Sequence, residues 1–160
     1  PTLEEMFQAF PDMPMNIEIK QDSPSIVEPF CALIHEYNME DKVLIPTFHP
    51  DTMNEFRENC PGVATSMTEP EIRLFYGLNM VGLGSFFSPP GQAFQVPESS
   101  GGLQIITPRF VENAQKRNIA VHVWTVNDPA DMERLIETGI DGIITDRPDL
   151  LLEVLGRKGS

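Results

Sequence analysis

Hydrophobic and polar residues alternate in several short stretches of the chain, and alternation of this kind predicts β-strands. In residues 15–20 (MNIEIK) one face is apolar, while the other carries the Glu18 carboxylate and the Lys20 ammonium group two positions apart. Such a polar face is ordinary in an edge strand that faces water, but in a parallel sheet it would lie where α/β proteins place their chemistry. Further strands are predicted at 43–48, 63–67, 93–96, 119–126 and 142–145.

Apolar residues at helical spacing separate the predicted strands, and capping signals mark where the helices begin. Helices are predicted at 3–10 and 50–59, and Ser23 and Pro24 are expected to open the second helix of the chain. Later helices are expected to begin after signals at Thr68, Thr107, Asp128 and Asp146. The order, a helix and then about six strand–helix repeats, predicts right-handed crossovers and a parallel sheet in a single domain, 1–160.

Residues 77–106 interrupt this alternation because they are rich in Gly, Pro, Ser and Phe. Five apolar side chains in this segment have two interpretations. They pack into a satellite core beneath a long loop, or they form a hydrophobic wall for a substrate tail or a lip that touches a membrane. The five are Met80, Val81, Leu83, Phe86 and Phe87.

The formal net charge of −13 narrows the function classes that the chain can serve. It argues against binding DNA or RNA, because contacts with phosphate backbones need clustered Lys and Arg. A phosphate-containing substrate would need a metal ion to offset the repulsion. No apolar run approaches the ~18 residues of a membrane-spanning helix. The sequence begins PTLEE and shows no signal peptide, so we expect an intracellular protein. Because it begins inside a helix signal and without Met, we also expect it to be a piece of a longer protein.

The two cysteines, Cys31 and Cys60, lie 29 positions apart, a spacing that matches no metal-binding or redox motif. They are therefore predicted to be reduced thiols in a reducing compartment, with a disulfide as the alternative. The pattern assigns neither cysteine a catalytic role.

If the alternating faces line one barrel interior, side chains from strands far apart in the sequence converge on a single mouth. Glu18, Lys20, Phe48 and Trp124 all lie towards the carboxyl ends of their strands. There a carboxylate could hold a divalent cation, a lysine could contact a phosphate oxygen, and the two aromatic rings could form a wall. These four residues are the candidate site.

Each candidate also has a structural interpretation. Glu18 and Lys20 could form a mutual ion pair, and Trp124 could belong to the core. His122 is more typical of a hydrogen-bonded residue inside a barrel than of a ligand. His49 follows a strand end and could reach the mouth, although a loop or helix-capping role is the commoner one.

Five runs of the sequence match one known family in order. They are PTLEE at 1–5, NIEIK at 16–20, TF at 47–48, ITPRFVENAQKRNIAVHVWTVND at 106–128 and GIDGIITDRP at 139–148. Together they resemble the C-terminal part of the glycerophosphodiester phosphodiesterase family, and WTVN followed by GIDGIITDRP is highly specific. The resemblance implies an α/β fold, an incomplete TIM (β/α)₈ barrel of about six C-terminal strand–helix units with parallel strands.

The resemblance implies a phosphoric diester hydrolase that cleaves glycerophosphodiesters with help from Ca²⁺ or Mg²⁺. By position in the family's motifs, Glu18 would be a metal ligand and Lys20 would contact the phosphate, while Phe48 and Trp124 would line the substrate pocket. The sequence looks closest to the animal members that act on lysophospholipids as lysophospholipase D. Thr47 stands where the family usually has serine.

The family's His-Arg, Glu-x-Asp and His-Asp motifs match no part of this sequence and would precede Pro1. Since those motifs supply the acid–base histidines and two of three protein metal ligands, no catalytic residue is assigned here, and the 160 residues alone are expected to be inactive. Six units cannot close an eight-stranded barrel, so the first strand would keep an open edge through which copies could self-associate. Association of the parent with cytoplasmic or endoplasmic reticulum membranes is left open.

The sequence has two alternative interpretations. The first is a truncated, non-catalytic isoform that binds a lipid or a protein partner. The second is a doubly wound sheet that binds a nucleotide, which the sequence disfavours because no GxGxxG or Walker loop follows any predicted strand.

Overall fold

Strands and helices alternate along residues 1–157, the part of the chain that the computed structural model describes. The chain divides into two compact units, Pro1–Ile72 and Arg73–Ser160. The main strands of both units run parallel to their neighbours, as expected when a helix follows each strand and carries the chain back.

The first unit is built on a three-stranded parallel sheet whose strands, in order, are β1 (Met15–Asn16), β2 (Val43–Ile45) and β3 (Ala64–Thr65). Met15 pairs with Val43, and Ile45 pairs with Thr65. The extended chain continues beyond β1, because the backbone N–H of Ile19 donates to the carbonyl oxygen of Pro46 at 3.0 Å. The elements are α1 (Leu3–Ala9), β1 (Met15–Asn16), α2 (Val27–Glu36), β2 (Val43–Ile45), α3 (Pro50–Asn59) and β3 (Ala64–Thr65).

Apolar side chains from the helices and from one face of this sheet form the core of the first unit. The alternation predicted for residues 15–20 is confirmed, since Ile19 is only 2% exposed whereas Lys20 on the opposite face is exposed. Burial of these side chains is what fixes the strand register, because a shift of one residue would reverse the two faces. The fully buried members include Phe7, Val27, Ile34, Ile45 and Phe56.

The start of α2 differs from the prediction. Ser23 and Pro24 lie before the helix, which begins at Val27. The Ser25 hydroxyl accepts a hydrogen bond from the Val27 N–H at 3.2 Å and donates one to the Glu55 carboxylate at 2.7 Å. This local bonding holds the preceding residues outside the helix. By contrast, the capping box that begins α1 is confirmed.

The second unit contains another three-stranded parallel sheet, whose strands in order are β4 (Ala93–Val96), β7 (Ala120–Val123) and β8 (Gly142–Ile143), and a small antiparallel hairpin. The predicted strand at 93–96 is confirmed, and the boundary between the units falls within α4. The elements are α4 (Glu69–Met80), β4 (Ala93–Val96), β5 (Ser99–Ser100), β6 (Leu103–Gln104), α5 (Pro108–Gln115), β7 (Ala120–Val123), α6 (Pro129–Glu137), β8 (Gly142–Ile143) and α7 (Pro148–Val154).

Four phenylalanines form the centre of the second unit's core, with ring centroids 4.8–6.5 Å apart. Phe75, Phe94 and Phe110 come from α4, β4 and α5, and Phe87 joins them from the connection between α4 and β4. The satellite-core interpretation of residues 77–106 is therefore correct for Phe87. It is wrong for the other four side chains, which are exposed: Met80, Val81, Leu83 and Phe86.

The predicted strand–helix order and parallel pairing are confirmed. Within residues 1–157, however, the strands pair as two separate parallel sheets and a hairpin, and this pairing does not close a barrel. None of the helices in the same residues has both the length and the apolar composition needed to cross a bilayer.

The prediction of two reduced thiols is wrong, because Cys31 and Cys60 are joined by a disulfide with their Cα atoms 5.8 Å apart. Cys31 lies on α2, and Cys60 is the residue at which α3 ends. These two helices belong to consecutive strand–helix repeats and pack together. The spacing of 29 residues corresponds to about one strand–helix repeat. A comparison with short metal-binding or redox motifs does not detect a spacing of this kind.

Candidate functional site

Three of the four predicted site residues line one pocket in the first unit. The pocket has a volume of about 300 Å³ and is lined by Glu18, Ile19, Lys20, Phe48 and His49. The parallel pairing explains this grouping, because the segments after β1 and β2 leave the sheet at the same edge. A carboxylate, an ammonium group, an aromatic ring and an imidazole therefore border one small volume.

The strand alternation decides which side chains enter the pocket. Asn16 pairs with Leu44, so the residues at even positions of both segments lie on the same face of the sheet. Thr47 is buried on the opposite face, and Phe48 is 65% exposed. The substitution of threonine for the family's usual serine thus falls on a residue that contributes to the interior of the unit.

Glu18 and Lys20 form the ion pair that was the structural alternative for them. The Lys20 Nζ atom lies 3.4 Å from the Glu18 carboxylate, and the lysine side chain is 79% exposed. An ion pair this open to water contributes little to stability and is readily exchanged for other partners. Both charges are therefore available to a ligand at low cost.

His49 also lines the pocket, although a loop or helix-capping role is the commoner one for a residue at such a position. It stands at the N-cap position of α3 but makes no side-chain capping hydrogen bond. Its backbone N–H donates to the Thr47 hydroxyl at 3.2 Å, and its Nδ1 lies 4.0 Å from the Asp22 carboxylate. Asp22 in turn accepts a hydrogen bond from the Thr52 hydroxyl at 3.0 Å. Its position after a strand end, from which the sequence analysis allowed it to reach the mouth, is the signal that places it at the pocket.

Trp124 belongs to the second unit and follows the carboxyl end of β7. Its backbone N–H donates to the carbonyl oxygen of Val96 at 3.1 Å, and its side chain is half-buried. The strand position expected for Trp124 is therefore confirmed. The convergence of Trp124 with Glu18 on one mouth stays a prediction.

His122 is a hydrogen-bonded residue, as predicted. Its Nδ1 lies 3.3 Å from the Gln95 side-chain nitrogen, and Gln95 is its register partner on β4. Burial lowers the pKa of His122, and the Asp141 carboxylate offsets this only in part. A neutral imidazole that accepts from an amide suits the half-buried face of a sheet.

The sequence profile of the glycerophosphoryl diester phosphodiesterase family matches residues 1–150. The chain belongs to this family. "Probable glycerophosphodiester phosphodiesterase 2" of Mycobacterium tuberculosis is 34% identical over 163 residues, which cover 99% of this chain and 61% of that protein. "Lysophospholipase D GDPD1" of Homo sapiens is 24% identical, over 97% of this chain and 56% of that protein.

Solved structures of the family share the fold. The glycerophosphodiester phosphodiesterase of Agrobacterium tumefaciens matches with a TM-score of 0.73 at 18% identity, over 98% of this chain and 62% of that one. Such structures are TIM-barrel proteins. This chain spans about three-fifths of the length of the relatives that it matches.

The runs that carry the family resemblance are bonded to one another in the second unit. The Asn127 side-chain oxygen accepts from the Thr145 hydroxyl and from the Asp146 N–H, both at 2.9 Å. The Asn127 side-chain nitrogen donates to the Asp146 carboxylate at 3.1 Å. Earlier in the same run, Asp141 accepts a hydrogen bond from the Val121 N–H at 2.8 Å. WTVN and GIDGIITDRP therefore join the ends of β7 and β8.

The pocket residues supply only part of what a hard cation needs. Ca²⁺ typically takes 6–8 oxygen ligands, and Mg²⁺ needs near-octahedral oxygen coordination. Glu18 offers one carboxylate. Within residues 1–157, the group of three His, Cys, Asp or Glu ligand atoms that come close enough to share an ion is Cys31, His35 and Cys60, outside this pocket. The residues present therefore do not by themselves fit a Ca²⁺ or Mg²⁺ site.

Proposed function

We propose that this chain is the substrate-binding part of a metal-dependent phosphodiesterase that hydrolyses glycerophosphodiesters or lysophospholipids. The observation that carries the proposal is the pocket in which Glu18, Lys20 and Phe48 meet. Membership of the family and the names of the relatives support the reaction class.

Each pocket residue has a role in this proposal. Lys20 donates a charge-assisted hydrogen bond to a phosphate oxygen, giving up its exposed pair with Glu18. Phe48 packs against the glycerol or acyl part of the substrate, and Trp124 does the same from the end of β7. Glu18 provides one oxygen ligand for Ca²⁺ or Mg²⁺ in a protein that supplies the others. The cation, when bound, offsets the phosphate charge, as the net charge of −13 requires.

We further propose that residues 1–160 alone do not catalyse hydrolysis, because one carboxylate does not hold the cation. The test is to incubate the purified chain with lysophosphatidylcholine and Ca²⁺ or Mg²⁺ and to measure released choline. No choline above the protein-free background is expected. Release that disappears in Glu18→Ala would overturn the proposed inactivity while supporting the role of Glu18.

The phosphate role of Lys20 is tested by binding rather than turnover. Glycerol 3-phosphate is titrated into the chain, and binding is followed by NMR shifts of the pocket residues. Lys20→Ala should weaken binding roughly tenfold, the value of about one charge-assisted hydrogen bond. Lys116→Ala is the matched control, since that lysine pairs with Glu112 on the surface of α5. Equal affinities for the two variants would contradict the proposal.

A second candidate function is lipid binding without catalysis. Four exposed apolar side chains in residues 77–106 favour it, and they would equally receive the acyl tail of a lysophospholipid: Met80, Val81, Leu83 and Phe86. Phe86→Ser should reduce co-sedimentation with lysophosphatidylcholine-containing vesicles, whereas Phe10→Ser, another exposed phenylalanine, should not. Equal sedimentation of both variants would count against an acyl-tail surface.

Self-association through β1 belongs to the same candidate. β1 lies at one edge of its three-stranded sheet, and such edges offer backbone groups for pairing. Sizing chromatography at increasing concentration tests it. A shift towards the dimer position supports edge pairing, and a constant monomer elution volume contradicts it.

A further inference from the structure

Two cysteines and a histidine form a compact cluster between α2 and α3, apart from the residues that line the phosphate pocket. Cys31 and His35 are four positions apart on α2, so they lie on the same side of the helix one turn apart. Cys60, where α3 ends, faces them from the neighbouring helix. Nothing in the proposed phosphodiesterase chemistry uses these three residues.

The ligand atoms of the cluster have the spacing of a tetrahedral metal site. The Cys31 Sγ and His35 Nε2 atoms are 3.4 Å apart, and the two sulfurs and the histidine nitrogen all lie within 4.8 Å of one another. Around Zn²⁺, with metal–ligand distances of about 2.0–2.3 Å, such atoms are roughly 3.5–3.8 Å apart. Separation of the two sulfurs after reduction would bring all three atoms into that range.

A carboxylate already holds the histidine in the orientation that a metal ligand needs. The His35 Nδ1 atom lies 2.8 Å from the Glu40 carboxylate, which leaves Nε2 directed at the Cys31 sulfur. A carboxylate behind a histidine fixes the ring and its tautomer in many zinc proteins. The contact between His35 and Glu40 therefore points to a metal site independently of the cysteines.

Burial suits a site with one open position. Both cysteines are buried, whereas the His35 side chain is 48% exposed. An ion can therefore enter from the His35 side, and a water molecule can complete the tetrahedron there. The Cys31 sulfur also lies 3.3 Å from the carbonyl oxygen of Asn59, to which its thiol can donate once the disulfide is reduced.

We propose that the reduced form of this protein binds one Zn²⁺ through Cys31, His35 and Cys60, and that the disulfide form is the metal-free state. A dithiol reductant transfers two electrons and two protons to the disulfide, giving two thiols and its own cyclic disulfide. Zn²⁺ then displaces the two thiol protons and forms two zinc–thiolate bonds and one zinc–imidazole bond. Thiolate and imidazole donors select Zn²⁺ over the hard cations that Glu18 would bind.

The experiment uses the whole 160-residue chain, with and without reduction by a dithiol that is removed before metal is added. Native mass spectrometry should show one added zinc less two protons in the reduced chain and none in the oxidised chain. Co²⁺ in place of zinc should give a near-ultraviolet thiolate charge-transfer band and the visible bands of a tetrahedral site. A large excess of Mg²⁺ should not remove either signal.

Variants separate the cluster from adventitious binding. Cys60→Ser should abolish zinc binding, and Glu40→Gln should weaken it roughly 10- to 100-fold, the usual effect of removing a carboxylate behind a ligating histidine. His35→Ala changes a half-exposed side chain, so it should leave the fold intact and still lower affinity strongly. His49→Ala is the control and should bind as wild type. A reduced chain without zinc, a cobalt spectrum without thiolate bands, or wild-type affinity in His35→Ala would each overturn the proposal.

Discussion

The pocket of the first unit and the aromatic core of the second unit use aromatic residues in opposite ways. Phe48 lies at the pocket with most of its surface exposed, beside a weak ion pair. Phe94 is fully enclosed by Phe75 and Phe110 at centroid distances of 4.8 and 5.3 Å. The aromatic residue that can meet a ligand and those that stabilise the core thus belong to different units. The two sets should therefore respond differently to mutation.

The largest effect is expected in the aromatic core. Phe94→Ala should lower the free energy of unfolding by about 4 kcal/mol, because the transfer energy of the ring is lost and a cavity remains between Phe75 and Phe110. Phe48→Ala should lower it by less than about 1 kcal/mol, since Phe48 is already 65% exposed. Urea unfolding followed by circular dichroism measures both. Similar losses for the two variants would erase the distinction between the regions.

The next effect concerns a partly buried ion pair in the first unit. Arg57 makes two contacts to the Glu71 carboxylate, at 2.6 and 3.2 Å, and also donates to the Thr65 hydroxyl at 3.1 Å. Arg57→Ala should cost about 3 kcal/mol, because Glu71 is left with an unbalanced charge. Arg109→Ala, on the exposed surface of α5, should be nearly neutral under the same urea titration.

The same pair predicts a pH dependence. Burial alone would raise the pKa of Glu71, but hydrogen bonds from Arg57 and from the Thr68 N–H outweigh it and lower the pKa below 4.5. The folded state therefore holds the Glu71 proton less tightly than the unfolded state. The stabilisation is complete above pH 4.5 and disappears as the pH falls through the folded-state pKa. Glu71→Gln should lose less stability than wild type over that acid range, and an identical acid response would contradict this.

A smaller effect is expected in the motif network of the second unit. Asn127→Ala removes the acceptor for the Thr145 hydroxyl and the Asp146 N–H, which are exposed enough for water to replace it. The loss should be about 1 kcal/mol. Asn54→Ala, an exposed asparagine on α3, is the control for the substitution itself. Thermal unfolding compares the two, and equal midpoints would show that the network adds nothing to stability.

The smallest effect on stability is expected at the pocket. Glu18→Gln removes one member of a solvent-exposed ion pair and should change the free energy of unfolding by no more than about 0.5 kcal/mol. The urea titration used for Arg57→Ala measures this change. A loss of stability comparable to that of Arg57→Ala would mean that the pocket supports the fold of the first unit.

Local patterns in the sequence predicted most of the elements because burial enforces them. The alternation around Ile19 and around Val121 is observed, and α3 has the predicted bounds 50–59. Apart from the strand at 93–96, the predicted strands were longer than the observed ones because the chain stays extended beyond the paired residues. The N–H of Val126, for example, still donates to the carbonyl oxygen of Ile144 at 3.1 Å although β7 ends at Val123.

Features that depend on neighbouring repeats could not be derived from local patterns. The bond between Cys31 and Cys60 depends on how α2 packs against α3. The five apolar side chains singled out in residues 77–106 resemble core residues by composition, yet only Phe87 among them is buried. The hydrophobicity of a segment does not determine whether its side chains pack into the core. The pocket was anticipated in part because its members follow strand ends, a position that topology brings together.

The parallel register has a consequence for the order in which the chain acquires structure as it leaves the ribosome. β1 finds no partner within its own repeat, since Met15 must wait for Val43 to be synthesised. The β5–β6 ribbon needs only the glycine turn at Gly101 and Gly102, both in the left-handed backbone region. A strand of either sheet thus waits for a complete crossover before its later partner is synthesised, whereas the two strands of the ribbon are neighbours in the chain.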